Sequence, residues 1–261
     1  MSTPKPVFPL HFWVKILKFD YKIKNDYMIN NSDFAGFILI NKETGISSHG
    51  VINKLRRLTG IRKIGHAGTL DPLASGLMII AIGRQATRQI DQYVKLDKEY
   101  LATLHLGAET DTYDREGKII NTDEKFLVRN INEEIIIEKL KLFIGEQEQV
   151  PPMFSAKKVQ GRRLYELARK GIEIERKPAK VSIYNMELIS YSEPLLKIKI
   201  RCSSGTYIRS IAFDLGRALG CGAYLEALER TEIGEFRIED SYLIKDLDNR
   251  NLAEKTFVPV T

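Results

Sequence analysis

The chain has 261 residues, enough for one large domain or two smaller ones, and its 43% hydrophobic and 28% charged content supports a sizeable core. Its 2 cysteines (Cys202, Cys221) and 4 histidines lack the spacing of a zinc cluster or a disulfide framework, and no apolar run reaches the ~20 residues of a membrane span. No metal and no membrane contact are therefore expected, a reducing, cytoplasmic setting fits best, and the net charge of +6 leans toward anionic partners.

Residues 1–33 differ from the rest. Val7-Phe8-Pro9-Leu10 and Phe12-Trp13-Val14 are apolar but broken by Pro9 and His11, without the order of a secretion signal. They read as a loosely attached extension, or as a product of start-site choice at Met28. A transit peptide is the alternative, against which Asp20 and Asp26 count.

Gly36-Phe37-Ile38-Leu39-Ile40 is a short apolar run suited to a buried strand. Ser47 or Ser48 caps a predicted helix whose inner face carries Val51, Ile52, Leu55 and Leu58 and which stops at Gly60. Next comes a glycine-punctuated loop, Gly65 to Gly76, with His66 five positions before Asp71. Pro72 fixes its own φ and disfavours helix at Asp71, so the backbone sets the carboxylate. Arg56, Arg57, Arg62 and Lys63 lead into this loop. From the loop alone, a turn-stabilising aspartate competes with a nucleophile for an anionic substrate.

Leu77 to Ile82 is a second buried strand, and Glu99 to Leu106 alternates with Tyr100, Ala102, Leu104 and Leu106 on one side. Gly117 to Asn121 reads as a hairpin return. Helices are predicted over Ile131–Ile144 and Gly161–Lys170, strands over Val181–Ile189 and Leu195–Cys202. Ile208, Ile211, Ala212, Leu215 and Leu219 mark one face of a further helix ending near Gly220. Tyr224–Ile233 and Phe236–Ile238 finish the sheet. Elements mix without regular βαβ alternation, so the expected class is α+β with a mixed, mainly antiparallel sheet and flanking helices. Basic pairs recur at Lys157-Lys158, Arg162-Arg163, Arg169-Lys170 and Arg176-Lys177. One pair alone reads as a solvated face; their recurrence points to a nucleic-acid backbone.

Five segments in order resemble the tRNA pseudouridine synthase B family. They are Phe37 to Lys42 with Gly45 and Ser47-Ser48; Gly65 to Gly76; Lys98-Glu99-Tyr100 through Thr110-Asp111-Thr112, Asp114 and Gly117; Gln149 to Tyr165; and Cys202 to Arg209 with Asp214 and Leu228-Glu229-Arg230-Thr231. The match runs from about Phe34 to Phe236. It departs at Glu43, where proline is common, and at Ala67, where threonine is common. Bacterial members also carry a C-terminal RNA-binding domain of the PUA kind, for most of which Gly234–Thr261 is too short.

The resemblance implies the pseudouridine synthase fold, residues 34–238 as catalytic domain and 239–261 as a short tail. It also implies conversion of the tRNA T-loop uridine to pseudouridine by a cofactor-free, monomeric enzyme. That reaction breaks the uracil N1–sugar bond and rejoins C5, which requires a carboxylate. Asp71 takes this place, whether it attacks C1′, adds to the base or abstracts the C2′ proton. Desolvation by the flipped base would raise its pKa, and a buried arginine would offset that. Arg209 is the implied partner; a surface arginine is the alternative. Tyr100 would stack on the uracil, worth ~1–3 kcal/mol, and could join proton transfer, although a core tyrosine fits its strand equally. Tyr207 and Leu228 would wall the site, and Lys42 would support the Asp71 loop. His66 would fill the space the flipped base vacates, unless it merely bonds its own loop backbone. Lys158, Arg162 and Arg163 would hold the T-arm backbone. The rival functions are a tRNA-folding chaperone acting without chemistry, an N-glycosidase, and a guide-RNA-dependent relative of the same family.

Overall fold

Two apolar runs, Gly36–Lys42 (β1) and Ser75–Ile82 (β3), pair antiparallel over their full length, from Gly36 opposite Ile82 to Lys42 opposite Gly76. Both are buried on both faces, which is why neither alternates in polarity. This computed structural model describes residues 35–257 apart from 126–129, 156, 160, 169, 173, 249, 250 and 253. The N-terminal extension expected over residues 1–33 lies outside the described residues.

The described strands build a nine-stranded sheet. Its path runs from β1 through β3 to β12 (Ala223–Ile233), β4 (Lys98–Leu106), β11 (Leu195–Cys202), β10 (Ala179–Ser192) and β7 (Gly145–Gln149). β2 (Ile64–His66) joins β3, and β13 (Phe236–Arg237) joins β12. Only the short β12–β3 pairing is parallel, so the sheet is mixed and mainly antiparallel. β4 alternates strictly, with Lys98, Tyr100, Ala102, Leu104 and Leu106 turned inward.

Helices cover one face of this sheet. α1 (Ser48–Thr59) is capped by Ser47, whose hydroxyl accepts from the Gly50 amide at 3.0 Å, and ends at Gly60 in the left-handed region at φ 72°. It buries Val51, Ile52 and Leu55. α4 (Glu133–Lys141) is capped by Asn132 and buries Ile136 and Leu140. α6 (Ile208–Ala218) buries Ile208, Ile211, Ala212 and Leu215 in the same core. The other face carries a smaller core of Phe37, Leu39, Leu77, Ile79 and Tyr93 beneath α2 (Arg84–Gln89) and α3 (Asp91–Val94). The chain beyond β13 returns to β1: Phe257 pairs with Phe37, Tyr242 bridges Ile40, and Leu247 and Leu252 are buried in the main core.

Three expectations are corrected. The helix predicted over 161–170 is confined to Leu164–Ala168 (α5), because Gly161, at φ 80°, turns Arg162–Arg163 (β9) back against Lys158–Val159 (β8). The helix predicted to reach Ile144 ends at Lys141, and the polar stretch Gly145–Gln149 pairs with β10 as an edge strand. His66 is not in the Asp71 loop but closes β2, paired with Ile80. The hairpin expected at Gly117–Asn121 is formed by Ala108–Thr110 (β5) and Ile119–Thr122 (β6).

Candidate active site

The loop between β2 and β3 is pinned from several directions, and Asp71 stands among the pins. Asp71 opens a turn in which the Ala74 amide donates to its carbonyl at 3.1 Å. The buried Ser48 hydroxyl donates to the Leu70 carbonyl and accepts from the Leu70 amide, both at 2.8 Å. The Gly45 amide donates to the Pro72 carbonyl at 2.8 Å. At the exit, Gly76 has φ +108° and lies against β12, where a Cβ would stand 2.4 Å from the Arg230 carbonyl oxygen. Only glycine fits that approach.

Arg209 meets this carboxylate from the first turn of α6. Its Nη2 lies 2.9 Å from Asp71 Oδ2, and its Nη1 lies 3.3 Å from Asp114 Oδ2. Nη1 also donates to the Thr112 carbonyl at 3.2 Å and Nη2 to the Phe154 carbonyl at 2.7 Å. The guanidinium is 6% exposed, Asp114 5% and Asp71 40%. The ion pair is therefore dry on its arginine side, and the carboxylate keeps one side open to a substrate. Asp114 is itself fixed: Oδ1 accepts from Thr112 Oγ1 at 2.6 Å and from the Glu116 amide at 3.0 Å. The start of α6 has no side-chain cap. Instead the Gln149 side chain accepts from the Tyr207 amide at 2.7 Å and donates to its carbonyl at 3.0 Å. Tyr207 is thus located by its backbone, immediately before the helix that carries Arg209.

Tyr100 lies inward on β4, 8% exposed, opposite Arg230 on β12. Its hydroxyl bonds the Arg230 guanidinium, and burial, the largest effect, raises its pKa above the usual phenol range. Leu228, two residues before Arg230, is half-buried on the same strand. It borders a cavity of about 240 Å³ lined also by Leu73, Ser75, Leu101 and Arg115. Lys42 is fully buried at the end of β1. Its Nζ donates to the Ile46 carbonyl at 2.6 Å and the Glu43 carbonyl at 3.1 Å, bracing the segment that holds Pro72. Burial lowers its pKa to about 8 against the opposing pull of Asp71. Lys98, behind Gly68, is likewise lowered to about 8 by burial and then by Arg230. The described site thus sets four buried cations, Lys42, Lys98, Arg209 and Arg230, around the carboxylates Asp71 and Asp114. That balance favours an anionic substrate.

His66 is half-buried, and its ring bonds the Gly68 backbone while the buried Nδ1 has no partner among the described residues. Burial and then Arg230 lower its pKa, so the ring is neutral at physiological pH. Arg162 is exposed on β9, in the hairpin that β9 forms with the strand of Lys158; Arg163 shares β9. The segment leading into this hairpin is joined to the Asp71 cluster through the Phe154 carbonyl, which accepts from Arg209. Sequence reasoning passed over Asp114 and Arg230 as site residues, although both stand in the quoted segments. The available signal was a charged residue inside an otherwise matched run; their partners lie far away in sequence.

The chain resembles known proteins throughout the region just described. A family model for the N-terminal domain of TruB family pseudouridylate synthases matches residues 56–208. A model for the C-terminal domain of tRNA pseudouridylate synthase B matches residues 209–257. A tRNA pseudouridine synthase B of Protochlamydia amoebophila (strain UWE25) is 51% identical over 209 residues, covering 80% of this chain and 78% of that protein. One from Clostridium kluyveri is 48% identical over 225 residues, covering 86% and 76%. Among solved structures, an H/ACA RNP bound to a substrate RNA containing 2′-deoxyuridine is similar with a TM-score of 0.62 at 26% identity. That likeness covers 86% of this chain and 59% of the other, so the chain spans about three fifths of that protein. With the Asp71 turn, helix α6 and the strand of Arg230 all inside the matched regions, the chain belongs to the TruB family of pseudouridylate synthases.

Proposed function

We propose that the protein converts the T-loop uridine of tRNA to pseudouridine, using Asp71 as the carboxylate that drives glycosidic cleavage. The observation that carries this reading is the Asp71–Arg209 pair at 2.9 Å, with the arginine buried and the aspartate half open on a turn pinned on both sides. Relatives about half identical to this chain are named tRNA pseudouridine synthase B, which supports the stand-alone tRNA enzyme over the guide-dependent one.

In this reading the target uridine leaves its stack and its base enters beside Tyr100 and Leu228. Arg209 keeps Asp71 aimed at the sugar, held in turn by Asp114 and two backbone carbonyls. The bond from uracil N1 to C1′ breaks, the base turns, and C5 bonds to C1′. The C5 proton leaves, N1 is protonated, and no oxidant or reductant is needed. Tyr100 stays protonated in its buried setting and offers a neutral ring face and a fixed hydroxyl. Tyr207 shares the wall with Leu228, and Lys42 steadies the turn. His66, neutral and beside the loop, fills the space the base leaves. Lys158, Arg162 and Arg163 take the T-arm phosphates, so binding weakens with salt.

Both cysteines, Cys202 and Cys221, are buried, and a chain with only two suits a reducing compartment such as the cytoplasm. No helix among the described residues is long and apolar enough to cross a membrane. The catalytic unit spans 34–238, with 239–261 a short tail whose described part packs on that unit.

The test is carbodiimide mapping of an unmodified tRNA after incubation with wild type and Asp71→Asn, because the product has the mass of uridine. Wild type is expected to label the T-loop position, and Asp71→Asn to label nothing while binding tRNA with a similar Kd. Normal labelling by Asp71→Asn would overturn the assignment. Release of free uracil would mark an N-glycosidase instead, and folding assistance without labelling by wild type would mark a chaperone.

A further inference from the structure

Arg230 is the largest fully buried side chain among the described residues, 1% exposed, and no carboxylate lies within salt-bridge distance of it there. A buried guanidinium is costly unless its donors are used. Here they are spent on one loop and one ring. Nε donates to the Leu77 carbonyl at 2.7 Å, just past the exit of the Asp71 loop. Nη2 donates to the Gly68 carbonyl at 3.2 Å, at the loop entrance. The same residue presses its backbone on Gly76 across the β12–β3 pairing. Tyr100, opposite it across β12–β4, accepts from the guanidinium at its hydroxyl oxygen. One residue thus touches both ends of the loop that carries Asp71 and the ring assigned to stack on the base.

We propose that Arg230 is a positioning residue for the reaction: it cinches the loop at Gly68, Gly76 and Leu77 so that Asp71 and the Tyr100 ring keep a fixed separation and angle. Arg230 touches no reacting atom and acts through these two groups. A lysine at this position retains the charge but has a single point donor, which cannot reach Leu77 and Gly68 in the fork geometry of a guanidinium. The inference rests on the function proposed above.

The experiment measures single-turnover pseudouridine formation at saturating enzyme, tRNA Kd and thermal midpoint for wild type, Arg230→Lys, Tyr100→Phe and the double variant. Misplacement of reacting groups by about 1 Å costs about 100-fold in rate. Arg230→Lys is expected to lose about that factor while Kd changes by less than about threefold, since no RNA contact is removed. The double variant is expected to be little slower than the slower single variant, because both changes disturb one unit. A folded Arg230→Lys protein with a wild-type rate overturns the proposal, as does equal loss in rate and binding, or simple multiplication of the two single effects. If Arg230→Lys does not fold, Gly68→Ala moves the loop entrance with the guanidinium intact, and the same split between rate and Kd is expected; an unchanged rate there overturns the proposal. Failure of wild type itself to form pseudouridine would instead count against the proposed function.

Discussion

Replacing Asp114 with asparagine removes one charge from the pair of carboxylates on Arg209 and keeps the size of the side chain. The amide oxygen can still accept from Thr112 Oγ1 and the Glu116 amide, now at 2.6 and 3.0 Å. What is lost is the Oδ2 contact to Arg209 Nη1 at 3.3 Å. Leaving a buried charge wholly unpaired costs ~3–5 kcal/mol. Arg209 would not be left so, because Asp71 and the carbonyls of Thr112 and Phe154 remain. The fitting scale is one charge-assisted hydrogen bond, ~1.5–3 kcal/mol, so about 2 kcal/mol of stability should go. For a protein of this size that lowers the thermal midpoint by roughly 4–8 °C. Chemistry should suffer more than stability. With one anchor gone the guanidinium leans toward Asp71, its remaining carboxylate, and pulls it off line by a fraction of an ångström or more, for a loss of up to about 100-fold in single-turnover rate. The assays are carbodiimide mapping over time at saturating enzyme, filter binding of tRNA, and thermal melting. Asp114→Asn with the expected drop in melting point but a wild-type rate would refute the view that Asp114 aims Arg209.

Two further outcomes follow from the same geometry. Ser48→Ala leaves both the amide and the carbonyl of Leu70 without their partner, which should cost ~2 kcal/mol and slow pseudouridine formation with tRNA affinity kept; a rate equal to wild type would show that the turn needs no pin from α1. Lys42 and Lys98 have pKa values lowered to about 8 in the folded chain against 10.5 when unfolded, so the unfolded chain binds more protons between those values. Their contribution to stability therefore rises from pH 8 to about 10.5, and denaturant titrations of Lys42→Met should show a shallower rise over that range than wild type.

Much of the fold could be read from residues because local chemistry marks it. Ser47 and Gly60 bracket α1, and Leu195–Cys202 appeared as the strand that forms. The edge strand Gly145–Gln149 could not be read this way: its residues are mostly exposed, so no apolar period betrays it, and it exists because β10 offers a free edge. Arg162–Arg163 fall within the helix expected over Gly161–Lys170 because charged residues fit either state; the turn at Gly161 pairs them with Lys158–Val159 instead.

The site divides along the same line. The turn at Asp71 is local: Pro72 and the glycines around it set the backbone, and that chemistry is written in consecutive residues. The five ordered segments single out Arg209 and Tyr100 as candidates. Whether Arg209 was a surface arginine or a buried partner depended on how α6 sits on the sheet, and the geometry places it at 2.9 Å from Asp71. Asp114 and Arg230 belong wholly to the tertiary structure. Arg230 bonds a carbonyl 162 residues away, and it does so because β12 runs between β3 and β4, with Arg230 opposite Gly76 on one side and Tyr100 on the other. Sequence alone determined the turn, the strands with apolar runs and the carboxylate. Only the pairing of distant strands brought the cations around that carboxylate, since Coulomb and hydrogen-bond contacts act across space and leave no period along the chain.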